Sequence, residues 1–290
     1  METKNFTIAS TLKLGKVVLK VMNLEAMTQF YQEIIGLDLL EQTEGVSVLG
    51  IKADGTVLLE LRRSVAMTVQ TGRKTGLYHT AFLVPERSDL GNALLHYIKK
   101  QAPIIGASDH GYSEALYLND PEGNGIEVYR DKPSEVWDVR ADGRIEGITI
   151  EMDADGVVAA ADERENWSGF PSGTSIGHVH LKVADLNQTE QFYTKMLGLS
   201  LKTVFPNQAI FLAAGGYHHH IGANVWSGTG IPPMNENDIG LDYYSFILPE
   251  QTEFDRLKNH LETNEIDFLA SEADTIELLD PNGIKIKITY

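Results

Sequence analysis

The sequence predicts an α+β fold of four βαβββ modules, on the strength of an internal duplication, a recurring turn and a shared order of elements. Leu14–Leu39, LGKVVLKVMNLEAMTQFYQEIIGLDL, repeats as Ile176–Leu201, IGHVHLKVADLNQTEQFYTKMLGLSL. The copies match at Gly15/Gly177, Val17/Val179, Leu19/Leu181, Lys20/Lys182 and Leu24/Leu186. They match again at Gln29-Phe30-Tyr31 against Gln191-Phe192-Tyr193, and at Gly36-Leu37 against Gly198-Leu199. GLYHTAFLVPE from Gly76 resembles GLDYYSFILPE from Gly240, and the turn Asp120-Pro121-Glu122-Gly123 resembles Asp280-Pro281-Asn282-Gly283. The units span roughly 12–63, 76–130, 175–226 and 240–290.

In the first unit, alternation over Lys16–Val21 predicts a strand, and Met27, Phe30, Tyr31 and Ile34 lie at helical spacing within Glu25–Ile35. Gly36 follows as a helix stop, and strands recur at Val46–Ile51 and Val57–Leu61. In the second, His79 shares a strand face with Leu77, Ala81 and Leu83, while Glu127 and Tyr129 alternate with Ile126 and Val128. In the third, His178, His180 and Lys182 lie opposite Val179, Leu181 and Val183. His96 and His260 fall on helix-like segments and are expected to be solvated. Residues 131–174, rich in Asp, Gly, Ser and Pro, read as a linker with one strand near Ile145–Glu151. The chain thus divides into modules 1 and 2 over 1–130, the linker over 131–174, and modules 3 and 4 over 175–290.

Composition narrows the function. The 290 residues suffice for a sizeable core, and no apolar run is long enough to span a bilayer. Nothing at the N-terminus resembles a charged-then-apolar export signal, so a cytoplasmic protein is expected. With 41 acidic and 24 basic residues the net charge is −17, which repels phosphate backbones and anionic membranes. Nucleic acid and membrane are therefore not expected partners; a neutral or cationic small molecule is. The chain has no cysteine, which removes disulfides, thiolate nucleophiles and thiolate metal ligation. Any metal must be held by His, Asp, Glu or Tyr.

Four βαβββ units carrying F-Y…G-L helices and D-P-x-G turns resemble the vicinal oxygen chelate superfamily, which includes glyoxalase I, bleomycin and fosfomycin resistance proteins and extradiol dioxygenases. The resemblance covers nearly the whole chain. It implies two cup-shaped, incompletely closed β-barrels, each built from paired modules and able to surround one divalent metal. The superfamily places ligands on the first and last strands of each module. Here the first-strand positions are Lys16, His79, His178 and Tyr243; the last-strand positions fall near Glu60, Glu127, His219/His220 and Lys287. Pairing modules 1 with 2 and 3 with 4 puts no complete ligand set in either cup. Pairing 2 with 3 unites His79, Glu127 and His178, the two-histidine, one-carboxylate set of an open Fe(II) site, and leaves Lys16 and Lys287 in a dead cup. Manganese takes the same ligands.

Module 2 contains DHGYSEALYLNDPEGNGIEVY and module 3 GGYHHHIGANVW. With GHVHLKV and GLDYY, these most resemble the Bacillus-type catechol 2,3-dioxygenases. The match implies His110 as a substrate-pocket histidine, Tyr117 as a substrate hydrogen-bonding tyrosine and His219 as the catalytic acid–base, with His220 the alternative. His180, on the face of His178, would line the pocket. The implied reaction is extradiol cleavage of a catechol-type substrate by O2 to a 2-hydroxymuconic semialdehyde, a step of aromatic hydrocarbon breakdown. Two other readings stay open: a glyoxalase-like isomerase or resistance enzyme, and a non-catalytic protein that sequesters aromatic ligands. Exposed edges between such modules also leave a homo-oligomer open.

Overall fold

The computed structural model describes residues 6–63, 72–162, 167–272 and 274–290; of the expected linker, 163–166 lie outside the described residues. Module 1 forms β1 (Lys13–Val21), α1 (Leu24–Phe30), β2 (Asp38–Gln42), β3 (Val46–Ile51) and β4 (Thr56–Arg63). Module 2 forms β5 (Gly76–Leu83), α2 (Arg87–Lys99), β6 (Ile104–Asp109), β7 (Ser113–Asn119) and β8 (Gly125–Asp131). The connecting segment adds β9 (Ile150–Glu151) and a helix not expected from its composition, α3 (Ala154–Ala160). Module 3 supplies β10 (Ser175–Lys182), α4 (Leu186–Gln191), β11 (Ser200–Phe205), β12 (Ala209–Ala213) and β13 (Ile221–Asn224). Module 4 supplies β14 (Gly240–Ile247), α5 (Gln251–Thr263), β15 (Leu269–Glu272), β16 (Thr275–Leu279) and β17 (Lys285–Thr289).

The helix expected over Glu25–Ile35 is present but widens in its second half. Gly36 N donates to Tyr31 O at 3.0 Å, an i→i+5 closure, and Leu197 N repeats it on Phe192 O at 3.2 Å. Gly36 ends its helix at φ +98°, a conformation open mainly to glycine.

Two curled sheets result. One runs β15-β16-β17-β14-β1-β4-β3-β2 and joins modules 1 and 4; the other runs β11-β12-β13-β10-β5-β8-β7-β6-β9 and joins modules 2 and 3. Their junctions are the antiparallel pairs β1–β14 and β5–β10. The repeated motifs clamp one sheet to the other. Tyr31 of module 1 donates to Asp120 in the D-P turn of module 2 at 3.0 Å, and Tyr193 of module 3 donates to Asp280 in that of module 4 at 3.3 Å. These contacts are buried, so removing either partner would strand a polar group without water. His96 and His260 are half-buried rather than solvated: each donates from Nε2 to the preceding module's helix end, at Glu33 O and Lys195 O. Among the described residues, no helix is long and apolar enough to cross a membrane.

Candidate metal centre

Strand register brings the ligand positions together. The residue two past each first-strand position pairs with the last-strand position: Val18 with Glu60, Ala81 with Glu127, His180 with Gly222 and Ser245 with Lys287. This corrects the expectation that module 3 offers His219 or His220 there. Those residues precede β13, and the equivalent of Glu127 is a glycine. A Cβ on Gly222 would lie 2.9 Å from the His180 ring, so the missing side chain is what admits that ring. The cup of modules 2 and 3 therefore has three donors and one vacant position.

The three donors converge. Among the described residues, His79, Glu127 and His178 are the group able to hold one ion, and all are buried. His79 Nε2 lies 3.0 Å and His178 Nε2 3.2 Å from Glu127 Oε2, and the two nitrogens are 3.2 Å apart. Donor atoms at right angles around one centre, each ~2.1 Å from it, would lie ~3.0 Å apart, so the residues present fit a facially bound divalent metal. Protonation suits it as well. Burial pushes the Glu127 carboxyl up, but the His178 and His79 rings outweigh this and hold it well below the usual carboxylate range. Burial lowers His178 to about 4 against the pull of Glu127, so its ring is neutral near pH 7 and keeps a lone pair. Just before it, Gly177 sits at a bulge in β10; a Cβ there would collide with the Tyr129 hydroxyl, 1.7 Å away.

The other cup is filled by ion pairs. Lys16 bonds Glu60, Arg62 bonds the same carboxylate at 2.6 Å, and Lys287 pairs with Glu277 at 3.0 Å while lying 4.6 Å over the Tyr243 ring. The Lys16 ammonium thus stands where an ion would face Glu60.

Around the triad lies a cavity of about 630 Å³, lined also by His110, Tyr117, His180 and His219. Tyr117 is the cross-strand neighbour of Glu127, and His110 Nε2 meets its hydroxyl at 2.7 Å. The opposite nitrogen, His110 Nδ1, is 2.9 Å from the Ile148 carbonyl; a carbonyl only accepts, so Nδ1 carries the proton. Burial and the nearby Glu127 push the Tyr117 phenol well above its ordinary value. His180 packs edge-on against His79 and Tyr78 and tilted against Trp226, its buried Nε2 has no partner, and burial drives its pKa well below the usual histidine range.

Of the histidine run, His219 lines the cavity with its ring 4.1 Å from that of His178. His220 turns away and accepts from Ala214 N at 3.2 Å. His218, which had no assigned role, links inward: its Nε2 donates to Asp131 at 2.8 Å and its Nδ1 faces His219 Nδ1 at 2.8 Å. Only one of two facing Nδ1 atoms can hold the shared proton, so the tautomer of His219 follows the charge on His218. Burial lowers His219 well below the ordinary range, favouring its neutral ring.

The connecting segment also reaches the site. Ile145 N donates to Lys202 O at 3.1 Å, the Thr203 hydroxyl donates to Ile145 O at 2.5 Å, and β9 pairs with β6. Residues 145–151 thus strap the open side of the cup, from β11 to β6, and present the Ile148 carbonyl to His110. The strand expected near Ile145–Glu151 is thus realised at its end, as β9, while no periodic signal marks Asp131.

Against known proteins, residues 13–128 and 175–288 match the model of the Glyoxalase/Bleomycin resistance protein/Dioxygenase superfamily. The chain is 42% identical over 252 residues to a protein of Bacillus subtilis (strain 168) named catechol-2,3-dioxygenase, covering 86% of this chain and 87% of that one. It is 30% identical over 122 residues to biphenyl-2,3-diol 1,2-dioxygenase 3 of Rhodococcus globerulus, covering 42% of this chain and 64% of that one. A solved structure from Bacillus subtilis subsp. subtilis str. 168 overlays 98% of this chain and 86% of its own with a TM-score of 0.60 at 12% identity, a likeness of fold alone.

Proposed function

The chain belongs to the Glyoxalase/Bleomycin resistance protein/Dioxygenase superfamily, and we infer that it is an extradiol ring-cleavage dioxygenase of the catechol 2,3-dioxygenase type. The observation that carries this is the vacant fourth position at Gly222. A glyoxalase-like isomerase normally uses four protein ligands, or ligands placed otherwise, whereas three leave an open face for substrate and oxygen together. A sequestering protein would have no need of a complete buried triad.

His79, His178 and Glu127 would hold the ion, which we take to be Fe(II), with Mn(II) accepted by the same donors. Such an ion would supply Lewis-acid binding of a diol and of O2 and the means to relay electron density between them. The protein's own groups do the rest. Tyr117 and His110, already hydrogen-bonded to each other, orient the ring and hold one diol oxygen. His219 keeps Nε2 free for the cavity and moves a proton there during O–O cleavage. As His219 gives up its Nε2 proton, a proton on His218 Nδ1 would pass to the facing His219 Nδ1, leaving His218 neutral and still donating from Nε2 to the Asp131 carboxylate. Burial of the triad excludes bulk water. Both oxygen atoms enter the product, a 2-hydroxymuconic semialdehyde when the substrate is catechol.

Anaerobically reconstituted Fe(II) protein mixed with catechol in air should consume one O2 per ring and develop a yellow product. No oxygen uptake across a panel of catechols would remove the assignment.

A further inference from the structure

The cavity grades from a buried polar floor to an exposed apolar rim. His79, Glu127 and His178 are 6%, 3% and 2% exposed, whereas Ile105, Trp226 and Ile148 are 64%, 52% and 44% exposed. Tyr78 and Phe205 complete the rim, both among the large hydrophobic side chains left open to solvent. These five come from β6, the segment after β13, the strap, β5 and β11, so the apolar ring is drawn from both modules. Behind it, Phe211 stands edge-on to Phe205 at 5.8 Å, and Tyr78 edge-on to Trp226 at 5.1 Å. Burying such side chains under a ligand is favourable in proportion to the area withdrawn from water.

Charge adds a second constraint. Apart from histidine, Glu127 is the sole ionisable acid or base among the described lining residues other than tyrosine, and no Lys or Arg is among them. Two cations on the β8 side are engaged, Arg130 with Glu114 at 2.5 Å and Lys132 with Asp109 at 2.5 Å. A substrate carboxylate would enter without a counter-charge, in a protein of net charge −17. Size points the same way. A volume of about 630 Å³ is that of a pocket for a drug-sized molecule, ~300–1,000 Å³, whereas catechol is one ring and two oxygens.

We propose that the preferred substrates are catechols bearing an uncharged apolar substituent, alkyl or aryl, seated against the rim of Tyr78, Ile105, Ile148, Phe205 and Trp226, and that ring-carboxylated catechols are rejected. This rests on the ring-cleavage reading, since it places the diol at the triad and the substituent outward.

The test is anaerobic calorimetry on the Fe(II)-loaded protein, followed by oxygen uptake with the same compounds. 4-tert-Butylcatechol should bind about tenfold or more tighter than catechol, and protocatechuate about tenfold or more weaker, the scale that small changes command in an apolar pocket. Ile105→Lys, at an exposed position that should not disturb folding, should weaken 4-tert-butylcatechol, tighten protocatechuate and bring the two affinities together. Equal affinities for all three compounds, or protocatechuate binding best, overturn the inference. The expected ranking without oxygen uptake from any compound supports the apolar subsite and overturns ring cleavage instead.

Discussion

Three donors meet at the floor of the cavity, and each can be removed separately. His79→Ala or Glu127→Ala should abolish metal retention through gel filtration, read as metal per chain, because two remaining donors leave a weak site. Lys16→Ala should leave retention intact, since Lys16 bonds Glu60 in the other cup; equal losses from both would contradict this assignment. His219 lines the cavity outside the triad, and the proposed mechanism gives it a proton to move rather than an ion to hold. His219→Ala should therefore keep metal and substrate affinity while kcat falls about a hundredfold or more. Asp131→Asn should lower kcat about tenfold, the scale of a lost outer hydrogen bond, and a kcat unchanged in it would disconnect His218 from catalysis. His79, His178 and Glu127 were legible as candidates because the family resemblance marks first- and last-strand positions and repeat register locates those positions in this sequence. His218 and Asp131 were not, since their contact spans 87 residues and follows no period.

At the scale of the element, β10 carries the most information. Its bulge at Ile176–His178 sets the direction of His178, and Gly177 makes room for the Tyr129 hydroxyl. Gly177→Ala should destabilise the fold by about 1–3 kcal/mol through overpacking and reduce metal affinity; a thermal melt and a metal titration that both match the parent chain would sink this account. The strand expected near Ile145–Glu151 is present only as β9 (Ile150–Glu151), and the whole stretch acts as a strap. It is irregular over most of its length, but its backbone groups bond β11 and β6 and its Ile148 carbonyl fixes the proton on His110. The widened turns after Phe30 and Gln191 recur in both halves, as expected of elements that inherit one sequence pattern.

Across the whole molecule, each sheet draws one module from each half of the chain, while the Tyr31–Asp120 and Tyr193–Asp280 bonds hold sequence-adjacent modules back to back. This arrangement gathers several histidines into a buried interior, which makes acid a threat. Burial, with repulsion from His218 and His178, lowers His220 from 6.5 to about 4. Between those values the unfolded chain binds a proton that the folded chain refuses, so stability from this group is present above about pH 6.5 and is lost as pH falls toward 4, by about 3 kcal/mol in all. The Tm of the metal-free chain should therefore drop between pH 7 and pH 5, and less steeply in His220→Gln. Parallel pH profiles for the two chains would remove His220 from that balance.

By itself the sequence determined the four modules, through local periodicity and the comparison of one repeat with another, and the family resemblance then implied the candidate triad of His79, Glu127 and His178 and the pairing of modules 2 and 3. Tertiary structure decided the rest: that Gly222 leaves the fourth position empty, that His219 rather than His220 faces the cavity, and that a strap and an Asp131–His218 link complete the site. Those features depend on strand register across a sheet and on loop paths between distant segments. Short-range spacing carries no record of either.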